Sequence, residues 1–337
     1  MKKKISIKEI AELSNVSTAT VSRVLNNNGR FSEETKKRVL SVIEEHEYQI
    51  NSVAKTLRMQ KSNTIGMIVP DINNEFFASL INRIEKFFFE KGFSTIICNT
   101  DKDQSKEESY LKSLDSKLID GLIFISGHEK VDESHLSRNI PIVCIDRDPD
   151  VSTNISIVGS NHYEGGLLAT RHLIKKGCKK IVILTKEKNI SSVNDRVKGY
   201  KQALTEASIE IDNQLFIGVP AMDKHNFELG KEGISQVIDK QIEFDGVFAT
   251  NDWIAYGALK ELMNRGYKVP KEVKIVGFDN DTIAKYSPLG ITTINQNISK
   301  IAEEASTLLY NLMENTEKKT VDYRVTVPVN IIERETT

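Results

Sequence analysis

The chain has 337 residues, a net charge of −1, a hydrophobic share of 39% and three cysteines. Such a length allows two or three domains, and the composition is that of a globular protein able to bury its own core. It excludes a helical membrane protein, since no run approaches the ~18 apolar residues of a span, and a disulfide scaffold, since Cys98, Cys144 and Cys178 lie far apart and read as small buried hydrophobes.

The opening "MKKKISIKEIAEL" puts charges where an export signal needs its apolar stretch, so a cytoplasmic protein is expected. Charge is unevenly spread. Residues 1–62 carry twelve Lys/Arg against seven Asp/Glu, a net +5, while the remainder has 34 against 40, a net −6. A basic head on an acidic body points to a polyanionic partner for the head alone.

The head reads as short helices. Ser6 and Glu9 fit a capping box before Ile7, Ile10, Ala11 and Leu13, which recur at helical spacing. Asn15-Val16-Ser17 breaks the pattern, and Ser17 is placed to cap a second helix from Thr18 through Leu25. Helices joined by so tight a turn, with Ala11, Val16, Val21 and Val24 inward, match a helix-turn-helix. A third helix from Ser32 to about His46 offers Val39, Leu40, Val42 and Ile43 to the same small core. The second helix would enter the major groove with Thr18, Ala19, Ser22 and Arg23 facing the bases. Ser17, Thr20 and Asn26 suit phosphate contacts, which position without specifying. The competing interpretation is a three-helix protein-interaction module.

Asn51 to Met59 holds good helix formers, yet Leu57 has no evident core to join. Here the sequence resembles the LacI/GalR family of bacterial repressors, in the run Val16 to Asn26 and in Ala54-Lys55-Thr56-Leu57. The resemblance implies a hinge helix in which Leu57 wedges into the minor groove at the centre of a palindrome, with Lys55 and Arg58 as flanking contacts. Residues 1–49 are then the DNA-binding domain, 50–62 the hinge and 63–337 an effector-binding and dimerisation domain.

From Thr64 apolar strands alternate with amphipathic helices. Strands are expected in "TIGMIVP", "FSTIICNT", "DGLIFIS", "IPIVCID", "KKIVILT", 215–219, "DGVFAT" and "VKIVGFD", and helices at 75–91, 106–118, 162–176, 195–207, 224–240 and 252–265. Repeated β-α units give parallel sheets covered on both faces. The series exceeds one core and is split near residue 161 into two lobes, the last segments "ITTINQ", 298–315 and "DYRVTVPVNIIER" returning to the first. The first lobe would hold 63–161 and about 292–337, the second about 162–291. The fold class is thus an all-α helix-turn-helix head plus an α/β two-lobed body, and the resemblance implies a body like the periplasmic binding proteins.

Ligands of open parallel sheets sit beyond the carboxyl ends of the strands. The residues there include Asn74, Phe76, Phe77, Asp146, Arg147, Asn251, Asp279 and Gln296. Planar hydrogen-bonding groups and aromatics suit a sugar, whose hydroxyls both donate and accept and whose ring stacks on aromatic faces. Singly, each has a plainer reading: a surface ion pair for Asp146 and Arg147, helix caps for Asn251 and Asp279, core for the two phenylalanines. The body also resembles the periplasmic ribose-binding proteins, and this implies Arg196 as a further sugar contact and Asp146 with Arg147 as a hydroxyl clamp. An aromatic is expected in the second lobe, from Met222 or Phe227 as substitutes.

No metal-ligand spacing, nucleophile-base pair or phosphate loop occurs, so neither an enzyme nor a cofactor is expected. The resemblance implies a homodimeric repressor on a palindromic operator, released by a monosaccharide, ribose first; the absence of a heptad tail after "IIERETT" favours the dimer. The alternatives are a catabolite-control regulator with a phosphocarrier corepressor, a purine- or other sugar-responsive member, and, from other classes, a transport solute binder or a sugar-modifying enzyme.

Overall fold

The computed structural model describes residues 5–25, 28–46, 61–125, 133–147, 155–186, 190–220, 225–314 and 323–337. Two compact units divide the chain, Met1–Ser62 and Asn63–Thr337.

In the first unit α1 (Ile7–Leu13), α2 (Thr18–Leu25) and α3 (Glu33–Glu45) surround one small core of Ile10, Ala11, Val21, Val24 and Val39. The capping box forms as the sequence implies. Glu9 N donates to Ser6 Oγ at 3.3 Å and Ser6 N to Glu9 Oε2 at 2.7 Å, which satisfies two otherwise orphaned amides. Ser17 caps α2 through Thr20 N at 3.1 Å, and Ser32 caps α3 through Thr35 N at 3.1 Å. One expected core residue does not join: Leu40 is exposed, because Val39, Val42 and Ile43 share a helical face that excludes it.

The second unit contains β1 (Thr64–Val69), α4 (Glu75–Glu90), β2 (Ser94–Asn99), α5 (Gln104–Ser116), β3 (Gly121–Ile125), β4 (Ile142–Ile145), β5 (Ile155–Ser160) and α6 (His162–Lys175). It continues with β6 (Ile181–Lys186), α7 (Ser191–Glu206), β7 (Phe216–Val219), α8 (Asn226–Asp239), β8 (Gly246–Ala249), α9 (Asp252–Asn264), β9 (Lys274–Asp279) and α10 (Thr282–Tyr286). The last elements are β10 (Thr292–Gln296), α11 (Ile298–Glu314), β11 (Arg324–Val327) and β12 (Val329–Ile332). The first sheet runs β11-β5-β4-β3-β1-β2, all neighbours parallel. The second runs β12-β10-β9-β8-β6-β7, antiparallel only where β12 meets β10.

Alternate strand residues face opposite sides, so each sheet has two cores. In the first lobe Met67, Val69, Ile123 and Val143 meet Leu80, Ile84 and Phe88 of α4 and Leu309 of α11, while Ile68, Phe124 and Cys144 meet Leu111 and Leu114 of α5. In the second, Val182, Val247 and Ile275 pack on α8 and α9, and Ile183, Phe248 and Phe278 on α6 and α7. All three cysteines are buried, and none is in a disulfide. No helix among the described residues is long and apolar enough to cross a membrane.

Two placements differ from the sequence expectation. β5 was not anticipated, since its serines and glycine dilute the apolar alternation although Ser156 is itself buried. "ITTINQ" does not return to the first lobe: β10 pairs with β9, and only α11 and β11 cross back. Pro328, which has no N–H to donate, separates β11 from β12, so the final segment is shared between the two sheets. The chain therefore passes between lobes after β5, after β10 and after β11.

Candidate effector-binding cleft and nucleic-acid interface

Strands β4, β8, β9 and β10 end in a set of buried polar side chains linked to one another. Asp146 follows β4 with a positive φ of 49°, which turns its carboxylate back toward β5. Its Oδ1 accepts from Ser160 N at 2.9 Å and lies 2.9 Å from His162 Nε2. Glycine is required opposite, since a Cβ on Gly159 would come 2.8 Å from that oxygen. Burial pushes the Asp146 carboxyl up, but His162 and the Ser160 amide outweigh it and hold the group below its ordinary value.

His162 begins α6 and joins the lobes. Arg196 donates to its Nδ1 from Nε and from Nη2, each at 3.3 Å. A guanidinium only donates, so Nδ1 accepts and Nε2 carries the hydrogen directed at Asp146. Arg196 comes from α7, held close to α6 because Gly166 lacks a Cβ that would lie 2.0 Å from the Arg196 carbonyl oxygen. Its guanidinium stacks 3.6 Å over Phe278, donates to Thr250 O and lies 3.4 Å from Asp279 Oδ1.

Asp279, the last residue of β9, is the hub of the second lobe. It accepts from Asn251 Nδ2 at 2.5 Å and from Gln296 Nε2 at 2.6 Å. Burial raises its carboxyl above the usual range against the pull of Arg196, Asn251 and Gln296. Asn251 caps α9 through Trp253 N at 2.9 Å and also accepts from Asn226 at 3.1 Å. Two atoms of this cluster, Gln296 Oε1 and Ser160 Oγ, are buried without a hydrogen-bond partner among the described residues. Buried polar atoms normally have partners, so a ligand donor fits here.

Of the expected cleft residues, the network joins Asp146, Arg196, Asn251, Asp279 and Gln296. Asn74 caps α4 with its oxygen on Phe77 N at 3.2 Å, and its amide nitrogen is not used by that cap. Phe76 is a correction: with Leu80, Ile84 and Phe88 it forms one face of α4 in the core, 4% exposed. Phe77 stays half-buried, its ring edge-on to Phe76.

Arg147 is the larger correction. Residues leaving a strand alternate sides, and while Asp146 turns to the cleft, Arg147 turns to α5. There it forms a bidentate pair with Glu107, at 3.2 Å and 3.0 Å, over the ring of Phe124. The two neighbours do not form a shared clamp. Met222 lies outside the described residues, and Phe227 packs on Tyr256. The aromatic beside Asn251 is Trp253, with His225 edge-on at 5.0 Å. Sequence reasoning missed His162, Asn226 and Trp253; for His162 the signal lay in recognising β5, whose end it follows.

In the head, Thr18, Ala19 and Arg23 are exposed on α2, and Ser22 and Thr20 are partly so. The Ser17 and Thr20 hydroxyls are 3.0 Å apart, and Arg23 lies along Gly29. Asn26, Lys55, Leu57 and Arg58 fall outside the described residues. Among the described residues no group of three or more His, Cys, Asp or Glu could hold a metal ion.

Residues 6–51 match the model for bacterial regulatory proteins of the lacI family, and residues 170–337 that for a periplasmic binding protein-like domain. The ribose operon repressor of Halalkalibacterium halodurans is 35% identical over 98% of this chain and 97% of its own. The transcriptional regulator DegA of Bacillus subtilis is 33% identical over 99% and 98%. The chain belongs to the lacI family of bacterial regulatory proteins. As a family member it is a DNA-binding transcriptional regulator and not an enzyme. Among solved structures, a LacI-family regulator from Enterococcus faecium with bound ribose aligns at TM-score 0.70 and 29% identity, over 81% of this chain and 98% of that one.

Proposed function

We propose that this LacI-family regulator is a homodimeric repressor of a sugar catabolic operon, released from a palindromic operator by a monosaccharide, ribose first. The observation that carries the reading is the Asp279 hub, where a carboxylate, a guanidinium and two amides converge at strand ends beside unpartnered polar atoms. Paired charged groups of this kind meet adjacent hydroxyls with charge-assisted hydrogen bonds. The relative named as a ribose operon repressor and the neighbour holding ribose support the choice of sugar.

On the DNA side, Thr18, Ala19, Ser22 and Arg23 read base edges, Ser17, Thr20 and Asn26 fix phosphates, and Leu57 with Lys55 and Arg58 opens the central step in the minor groove. In the cleft, Asn74, Phe77, Asp146, Arg196, Asn251, Asp279 and Gln296 hold the sugar. Its binding changes the angle between the lobes, which alters how two hinge segments meet across the dimer. Sugar and DNA affinities then oppose each other reciprocally, by ~1–3 kcal/mol.

The test is fluorescence anisotropy on DNA selected by the chain from random palindromes. Ribose should raise the apparent Kd for that DNA, and an unchanged Kd removes the inducer. A second reading, a regulator answering to a phosphorylated carrier protein, gains from the withdrawal of Arg147 into its pair with Glu107, which takes one sugar ligand away. Capture of the phosphorylated carrier by the full chain decides between them.

A further inference from the structure

The two lobes touch at a second place, on the rim of the cleft. Glu75, the first residue of α4, reaches the start of α10 in the other lobe, where its carboxylate accepts from Thr282 N at 3.0 Å and 2.9 Å and from the Thr282 hydroxyl. A helix start is ordinarily capped by the residue just before it. Here that residue is Asp281, and it makes no side-chain cap; Glu75 has taken its place. Displaced from the cap, Asp281 is 3% exposed, and its Oδ2 has no hydrogen-bond partner among the described residues.

Four carboxyls meet at this junction, and donors distinguish them. Asp252 accepts from the Thr293 hydroxyl at 2.6 Å and from Asp281 N at 2.8 Å. Asp279 accepts from Asn251 and Gln296 and faces Arg196. Glu75 accepts from Thr282. Each of these three has the donors an ionised group needs. Asp281 Oδ2 has none, and an unpaired buried carboxylate is the arrangement proteins avoid by keeping the group protonated. We propose that Asp281 is a proton-linked switch of lobe closure, holding a proton while Glu75 caps α10 and losing it when the lobes separate.

The three carboxylates around it agree with that assignment. Asp279 from β9, Asp252 from α9 and Glu75 from α4 disfavour a further negative charge; Arg196 from α7 opposes them but is committed to His162, Thr250 and Asp279. Arg334 is turned to Asn280 Oδ1 at 2.6 Å, and Lys285 on α10 itself extends over Tyr286. Burial, then Asp279, Asp252 and Glu75, push the Asp281 carboxyl from 3.8 to about 9. Burial and Asp279 push Asp252 well above its ordinary value too, against the pull of its two hydrogen bonds; the proton falls to Asp281 because, of the four carboxyls, its Oδ2 is the oxygen with no donor. With the lobes apart, Glu75 leaves and Asp281 meets more water, so its carboxyl titrates lower, although Asp279 and Asp252 of its own lobe remain beside it. Between those two values closing takes up one proton, so each unit of rising pH disfavours the closed form by up to about tenfold.

The experiment needs no effector, so its outcome is separate from the sugar assignment. Spin labels on the full chain at S105C and K231C, both exposed and one in each lobe, report the interlobe distance by pulsed electron resonance. From pH 6 to pH 10 the distance should lengthen in the wild-type background and stay short in D281N. In E75Q, with one negative neighbour fewer, the midpoint should move to lower pH. A response that persists in D281N, a wild-type distance that ignores pH, or an E75Q midpoint that does not move overturns the proposal.

Discussion

Replacing Arg196 by methionine keeps the length of the side chain and its contact with Phe278 while removing the guanidinium. Three partners are then left: Asp279 3.4 Å away, His162 Nδ1 at 3.3 Å, and the Thr250 carbonyl. Since Arg196 and Asp279 are both buried, the lost attraction is not replaced by water, and Asp279 remains as a charge with only amide donors. Breaking a buried pair from one side costs about 3–5 kcal/mol, on the order of 10 °C in the melting of a unit of this size. Removing the second charge should restore part of the loss, so R196M/D279N is expected to melt above R196M. Calorimetric melting of the four members of this cycle measures the coupling directly. If R196M melts with the wild type, or the double variant simply adds the two single losses, the Arg196–Asp279 pair does not stabilise the second lobe as described.

Glu107→Gln removes the carboxylate that pairs with the buried Arg147 guanidinium; stability should fall by about 3 kcal/mol with sugar affinity unchanged, and a selective loss of sugar affinity in calorimetry would return Arg147 to the cleft. Gly159→Ala inserts a methyl 2.8 Å from Asp146 Oδ1, so the carboxylate must move; overpacking of ~1–3 kcal/mol should appear as weaker sugar binding, and an unaltered titration curve would show that Asp146 has room to spare. Leu57→Ala should abolish binding to the selected palindrome while leaving nonspecific DNA binding intact, as gel-shift competition would show; equal loss of both removes the wedge.

Much of this was legible because the signals are periodic or positional. Helix starts at Ser6, Ser17 and Ser32 carry their own caps, and apolar runs in β1, β3, β6 and β9 announce a buried parallel sheet. Asp146 and Asp279 stood out because strand ends are where such sheets bind ligands, and both sit in the buried polar network there. What failed was information the linear order does not contain. Adjacency suggested that Asp146 and Arg147 act together, whereas the turn after β4 sends them to opposite sides of the sheet. Phe76 and Phe77 look alike as a pair, but only one lies on the helical face that meets Leu80 and Ile84. β5 escaped because Ser156 and Gly159 are polar or small for reasons of local packing, and with it went His162, the residue that ties Asp146 to Arg196. The course of β10 and β12 depends on pairings across long stretches of sequence, which composition does not encode.

The most direct test of the account is isothermal titration calorimetry of the full chain with ribose, in the wild type and in Asp279→Ala. The cleft geometry predicts a saturable, single-site heat in the wild type and none in the variant, with both proteins folded by circular dichroism. A wild type that gives only heats of dilution, or an Asp279→Ala chain that binds ribose equally well, contradicts the assignment of this cleft as the sugar site.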